Sequence, residues 1–97
     1  MLTHEKIVEV VRKAVNVFPL TKVSYFGSYA EGRATKDSDL DLLVEFDTAD
    51  VSLLTIIGLK HEIEDMLGIP VDVIHAPIPK GALLTIEKEV VVYDRQG

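Results

Sequence analysis

The sequence contains no cysteine, which excludes disulfide bridges and thiolate metal sites. No apolar run approaches the ~20 residues that a bilayer-spanning helix requires. The opening stretch "MLTHEKIVEVVRKAV" carries charges throughout and lacks the apolar centre of a secretory signal. These absences lead to the expectation of a cytoplasmic protein without a membrane partner. Basic residues are scarce too: ten Lys and Arg stand against sixteen Asp and Glu, a net charge of −6. With no basic cluster, such a surface repels a phosphate backbone, so nucleic acid is not expected as a direct partner. Cations held by aspartates would offset part of that charge locally. Repeats, linkers and low-complexity segments are missing as well, and 97 residues leave room for one domain, 1–97, with no second lobe. What is present is apolar material, 47% of the chain, enough for a core that removes roughly 60–70% of the unfolded surface from water.

Thr3 is placed to cap a helix over 4–17, with Glu5 in its first turn and Ile7, Val11, Ala14, Val15 and Phe18 recurring at helical spacing. Val8, Val10 and Val17 fall off that stripe; they read first as a broadened core face, with a partner-facing surface as the alternative. Pro19 ends the helix, and "KVSYF" (22–26) follows as a strand. Residues 27–33 form a turn that holds one helical turn. "SDLDLLVEF" (38–46) is a second strand, apolar on one face at Leu40, Leu42 and Val44, with Leu43 suggesting cover on the other face as well. Asp50 is the expected cap of a helix over 51–67, whose stripe includes Leu53, Ile56, Ile57, Ile63, Met66 and Leu67. Gly68 and Pro70 mark its stop. "VDVIH" (71–75) is a third strand, "APIPKG" a loop because of its two prolines, "ALLTIEKE" a short helix and "VVVYD" a closing strand. That order calls for a small α/β or α+β structure, with helices packed on a mixed sheet.

Chemistry concentrates in "YFGSYAEGRATKDSDLDLLVEF". Residues two apart on a strand point to one face about 6.6 Å apart, so Asp39 and Asp41 aim their carboxylates together. Asp72 sits second in the next strand, and neighbouring strands would bring all three acids to one sheet end. Unpaired, such a cluster forces a proton onto one member. Hard oxygen donors grouped this way suit Mg²⁺, which takes its remaining ligands from waters and substrate phosphates. Two such ions clamp the attacking and leaving oxygens of a phosphoryl displacement. Singly, each acid has a structural reading: Asp39 as a turn cap, Asp72 as a partner of a lysine.

The glycines of "GSYAEGRA" match P-loop spacing, but Arg33 replaces the lysine and Ala34 the metal-binding hydroxyl, so the P-loop reading fails. What survives is a Gly27 that lets backbone approach a ligand and a Ser28 hydroxyl at the start of a short helix. His75 is expected on the face opposite Asp72 and outside any ligand set. His4 and His61 are expected in solvent, and Tyr25 and Tyr29 in packing.

Gly27-Ser28, Asp39-Leu40-Asp41 and Asp72 together resemble the signature of the nucleotidyltransferase superfamily. The string "GSYAEG…SDLDLLV" looks like its small bacterial and archaeal group, the minimal nucleotidyltransferases (MNT), over essentially the whole chain. The resemblance implies the nucleotidyltransferase fold and binding of ATP, or another nucleoside triphosphate, with two Mg²⁺ ions, Mn²⁺ being the alternative. Gly27 and Ser28 would hold the triphosphate, and Asp39 and Asp41 both metals. Asp72 would complete the metal that activates the acceptor hydroxyl and help take its proton. Many relatives carry arginine where this chain has Glu31, which leaves Arg33 either as the cationic phosphate clamp or as a surface charge. Because MNT proteins commonly pair with HEPN-domain partners in toxin–antitoxin modules, the resemblance further implies an antitoxin that adds AMP to a tyrosine of a HEPN ribonuclease toxin within a hetero-oligomer. Two alternatives stand beside it. One is an enzyme subunit acting on a small molecule such as an antibiotic; the other is a non-catalytic antitoxin that neutralises its partner by binding.

Overall fold

Thr3 starts the first element as the spacing predicts: its backbone is extended and its Oγ1 accepts the Lys6 N–H at 3.2 Å. The computed structural model describes residues 2–48, 50–76 and 86–96. Its elements are α1 (His4–Ala14), β1 (Leu20–Phe26), α2 (Gly27–Ala30), β2 (Leu40–Phe46), α3 (Leu53–Leu67), β3 (Val71–His75) and β4 (Val90–Asp94). Helix α1 ends three residues before the expected position 17. Pro19 disfavours helical backbone just ahead of it, and the last residues close as a turn, with the Phe18 N–H on the Ala14 carbonyl at 2.9 Å. Val10 is buried and Val8 half-buried, so the broad core face is real there, whereas Val17 is 68% exposed.

The sheet order is β3-β2-β1-β4. Strand β1 runs antiparallel to β2 and β4, while β2 and β3 are parallel. A parallel neighbour cannot follow through a tight hairpin, and α3 supplies the crossover. Leu40, Leu42 and Val44 alternate onto one face of β2 and are fully buried, in one cluster with Ile7, Val10 and Val11 of α1 and Leu59 and Ile63 of α3. Truncating the centre of that cluster, Leu42→Ala, is expected to cost about 2–5 kcal/mol, read as a lower urea midpoint at unchanged slope.

The second face of the sheet is covered in part, as Leu43 suggests. Leu43 is half-buried, and its cross-strand partner Ser24 is buried with its hydroxyl donating to the Glu89 carboxylate.

Three further boundaries depart from expectation. Strand β1 begins two residues early, at Leu20, and β2 begins at Leu40, which leaves Asp39 just ahead of the strand. The cap of α3 is Ser52 rather than Asp50: the Ser52 Oγ accepts the Thr55 N–H at 3.2 Å, and Asp50 stands too far ahead of the first turn. Gly68 closes α3 as expected, with φ of 73° and its N–H on the Glu64 carbonyl at 2.7 Å. The expected loop beyond Ala76 and the first half of the expected helix over 82–89 lie outside the described residues; 86–89 are not helical. Among the described residues no helix is long and apolar enough to cross a membrane.

Candidate active site

Strand register places the acids. Parallel pairing sets Asp41 level with Asp72, and antiparallel pairing sets Phe26, the last residue of β1, opposite Asp41. The chain leaves β1 at Gly27 and turns at once into α2. Gly27 has φ of 71°, in the left-handed region, and a Cβ built on it would run into the Asp41 Oδ2. Both facts require glycine here. The turn is thus closed directly against the Asp41 carboxylate.

Asp41 is half-buried, while Asp39 and Asp72 are exposed. Burial holds the Asp41 carboxyl above its ordinary 3.8, and the negative charges of Asp72 and Asp39 and a hydrogen bond with Asp72 push it further the same way. The three acids therefore share one electrostatic neighbourhood. Among the described residues no three acidic or histidine side chains stand in a finished metal-ligand set; the close pair is Asp41 and Asp72, with Asp39 exposed on the approach to β2. A divalent cation fits this donor set on chemical grounds. The oxygens are hard, and the carboxyl of Asp41, held above its ordinary range by burial and by its acidic neighbours, marks the place where positive charge would relieve the cluster.

Helix α2 is a single turn, with the Glu31 N–H on the Gly27 carbonyl at 3.0 Å and the Arg33 N–H on the Ser28 carbonyl at 2.9 Å. Ser28 is half-buried at its start. Arg33 does not reach into the turn. Its guanidinium donates twice to the Glu31 Oε1, from Nε at 3.1 Å and from Nη2 at 2.9 Å. Glu31 therefore holds the nearby arginine beside the turn.

A cleft of about 560 Å³ lies next to the acids, lined by Phe26, Asp41 and Asp72 together with Ile56, Ile57 and Lys60 of α3. Sequence reasoning missed Lys60 and assigned Leu53 and Ile57 to the core stripe. Leu53 is 70% and Ile57 39% exposed. The signal was present: positions 53, 56, 57 and 60 repeat at helical spacing and make a face of their own, separate from the buried face of Leu59 and Ile63.

The remaining candidates sort by geometry. His75 packs edge-on against Phe46, with ring centroids 5.3 Å apart, and its position three after Asp72 on β3 puts it on the opposite face, as expected. His61 lies 66% exposed beside Glu64. His4 is exposed, as expected, and in addition its Nδ1 is hydrogen-bonded with the Tyr25 hydroxyl at 2.9 Å. Tyr25 is buried, as packing requires, and Tyr29 packs half-buried against the core.

Known proteins share both sequence and shape. The sequence profile described as "Nucleotidyltransferase domain" matches residues 4–95. Protein adenylyltransferase MntA of Thermococcus cleftensis is 36% identical over 96 residues, 94% of this chain and 96% of that protein. Among solved structures, a toxin–antitoxin crystal structure with AMP-PNP superposes with a TM-score of 0.75 at 22% identity, covering 98% of this chain and 76% of that one. The complex of a tri-AMPylated Shewanella oneidensis HEPN toxin with an MNT antitoxin superposes with a TM-score of 0.64 at 18% identity, covering 95% and 70%. At those identities the two structures speak for the fold. The profile and the MntA relative both span nearly the whole chain, and this chain belongs to the nucleotidyltransferase domain family.

Proposed function

We propose that the protein is an antitoxin that transfers AMP from ATP to a tyrosine hydroxyl of a HEPN-domain toxin, with which it forms a hetero-oligomer. The observation that carries this reading is the near end-to-end match to a protein adenylyltransferase, on a chain whose Gly-Ser turn closes against a paired aspartate. Two solved neighbours, a toxin–antitoxin structure with AMP-PNP and an AMPylated HEPN toxin with its MNT partner, support the nucleotide and the partner.

Gly27 and Ser28 take the triphosphate. Arg33 joins it by exchanging the Glu31 carboxylate for a phosphate oxygen. Asp39 and Asp41 would hold two Mg²⁺ ions, or Mn²⁺ in their place, with Asp72 completing the one nearer the acceptor. Bound there, the ions neutralise phosphate charge and lower the pKa of the acceptor hydroxyl. The acceptor oxygen attacks the α-phosphorus, the new P–O bond forms as the bond to pyrophosphate breaks, and the hydroxyl proton passes to Asp72 and then to solvent.

Incubation with α-labelled ATP, Mg²⁺ and the HEPN partner is expected to label the partner. Asp39→Asn should cut that labelling by about 100-fold, and chelation by EDTA should abolish it. Label confined to small molecules would overturn the choice of acceptor. Full neutralisation by Asp39→Asn without label would make the protein a binding antitoxin.

A further inference from the structure

Resting on the transfer reading above, we infer that the cleft beside Asp41 and Asp72 receives the acceptor ring, and that Ile57 and Lys60 of α3 are specificity-determining residues for that acceptor. The Gly27–Ser28 turn and Asp39 do not line the cleft, whereas Asp41 and Asp72 do. In-line displacement puts the entering oxygen opposite the leaving pyrophosphate. A triphosphate on the turn therefore requires the acceptor to enter past Asp72.

Asp72, Val73 and Ile74 are consecutive, yet all three line the cleft. Alternate strand residues point to opposite faces, so three in a row share one cleft only where it opens on the strand's edge. Among the described residues β3 is an edge strand. The cleft is thus open sideways to a macromolecule.

Ile56, Ile57, Val73 and Ile74 give apolar walls suited to a ring, and Lys60 supplies a cation. A polycationic small molecule would meet that cation, and a polyanionic strand would meet a chain of net charge −6. An ammonium favours the ionised form of a neighbouring phenol, whose pKa of about 10 makes ionisation accessible. Leu53 and Leu54, 70% and 80% exposed on the same end of α3, extend the apolar surface outward for the segment that carries the ring.

The test uses the HEPN partner with wild-type protein, Ile57→Asp, Lys60→Met and Lys60→Arg. Position 57 is partly exposed, and near-native melting curves verify folding. Calorimetry with AMP-PNP and Mg²⁺ is expected to give unchanged nucleotide affinity for Ile57→Asp, while affinity for the partner falls by about tenfold or more. Lys60→Met should move the alkaline rise of the transfer rate to higher pH, and Lys60→Arg should restore it. Nucleotide affinity falling in step with partner affinity would make the cleft a nucleotide site and overturn the inference. Labelling and partner affinity untouched by Ile57→Asp, or a pH profile untouched by Lys60→Met, would overturn it equally. Each of those results leaves wild-type transfer standing. A wild-type protein that labels no partner would instead sink the transfer reading itself.

Discussion

Asp41→Asn is expected to abolish AMP transfer and, in the same molecule, to raise the melting temperature of the metal-free protein. The two effects share one cause. Asp41 is the acid that burial and its neighbours Asp72 and Asp39 hold above the ordinary 3.8. A carboxyl whose folded pKa is raised contributes its full stability below the unfolded value and loses it as pH rises through the folded one. At neutral pH the ionised group therefore weighs against the fold, and the uncharged, nearly isosteric amide removes that weight. The group is only partly withdrawn from water, so screening keeps the gain small, a rise of a few degrees at pH 7 that vanishes below pH 4. The lost charge is also the one proposed to anchor both cations, and transfer should fall by about 1,000-fold or more, an effect as large as removing a principal transition-state contact. Paired thermal melts at pH 3.5 and 7 with labelling assays check both parts. An unchanged or lower melting temperature at pH 7 would contradict the electrostatic account of the site.

Gly27→Val should do the opposite to stability and the same to activity. A side chain at φ of 71° carries backbone strain of about 1–3 kcal/mol, and its Cβ meets the Asp41 carboxylate. Either the turn or the acid must shift. Displacement of about 1 Å in such a site costs on the order of 100-fold in rate. Gly32 provides the control: it has nearly the same backbone, φ of 73°, but no atom within 4 Å of a Cβ built on it. Gly32→Ala should lose comparable stability in urea titrations and keep its transfer activity. Equal loss of activity in both variants would show that strain, not the collision with Asp41, is what matters at Gly27.

The order of the elements was legible because each carries a local signature. Thr3 and Gly68 act where their types predict, and Leu40, Leu42 and Val44 alternate as a half-buried strand must. The pairing of Asp41 with Asp72 was legible too, since a helix between two strands points to a parallel crossover. What escaped was side-chain company across long separations. Nothing local tells His4 that Tyr25 waits 21 positions away. Helix α3 hid its second face because two apolar stripes overlap on it, and with that face went Lys60. Ser52 and Asp50 are both good caps by type, and only the first hydrogen-bonded turn decides between them.

The parallel register of β2 and β3 has a bearing on biosynthesis. Asp41 and Asp72 come from strands separated by the whole of α3, so their encounter is a long-range contact that forms late relative to local helices and hairpins. A nascent chain that has emerged only through α3 possesses the Gly-Ser turn and the first two acids yet has no third. On the roles proposed for the three acids, catalytic competence would arrive only with β3 docking, and a chain still lacking that strand would be expected to be inert toward nucleotide transfer.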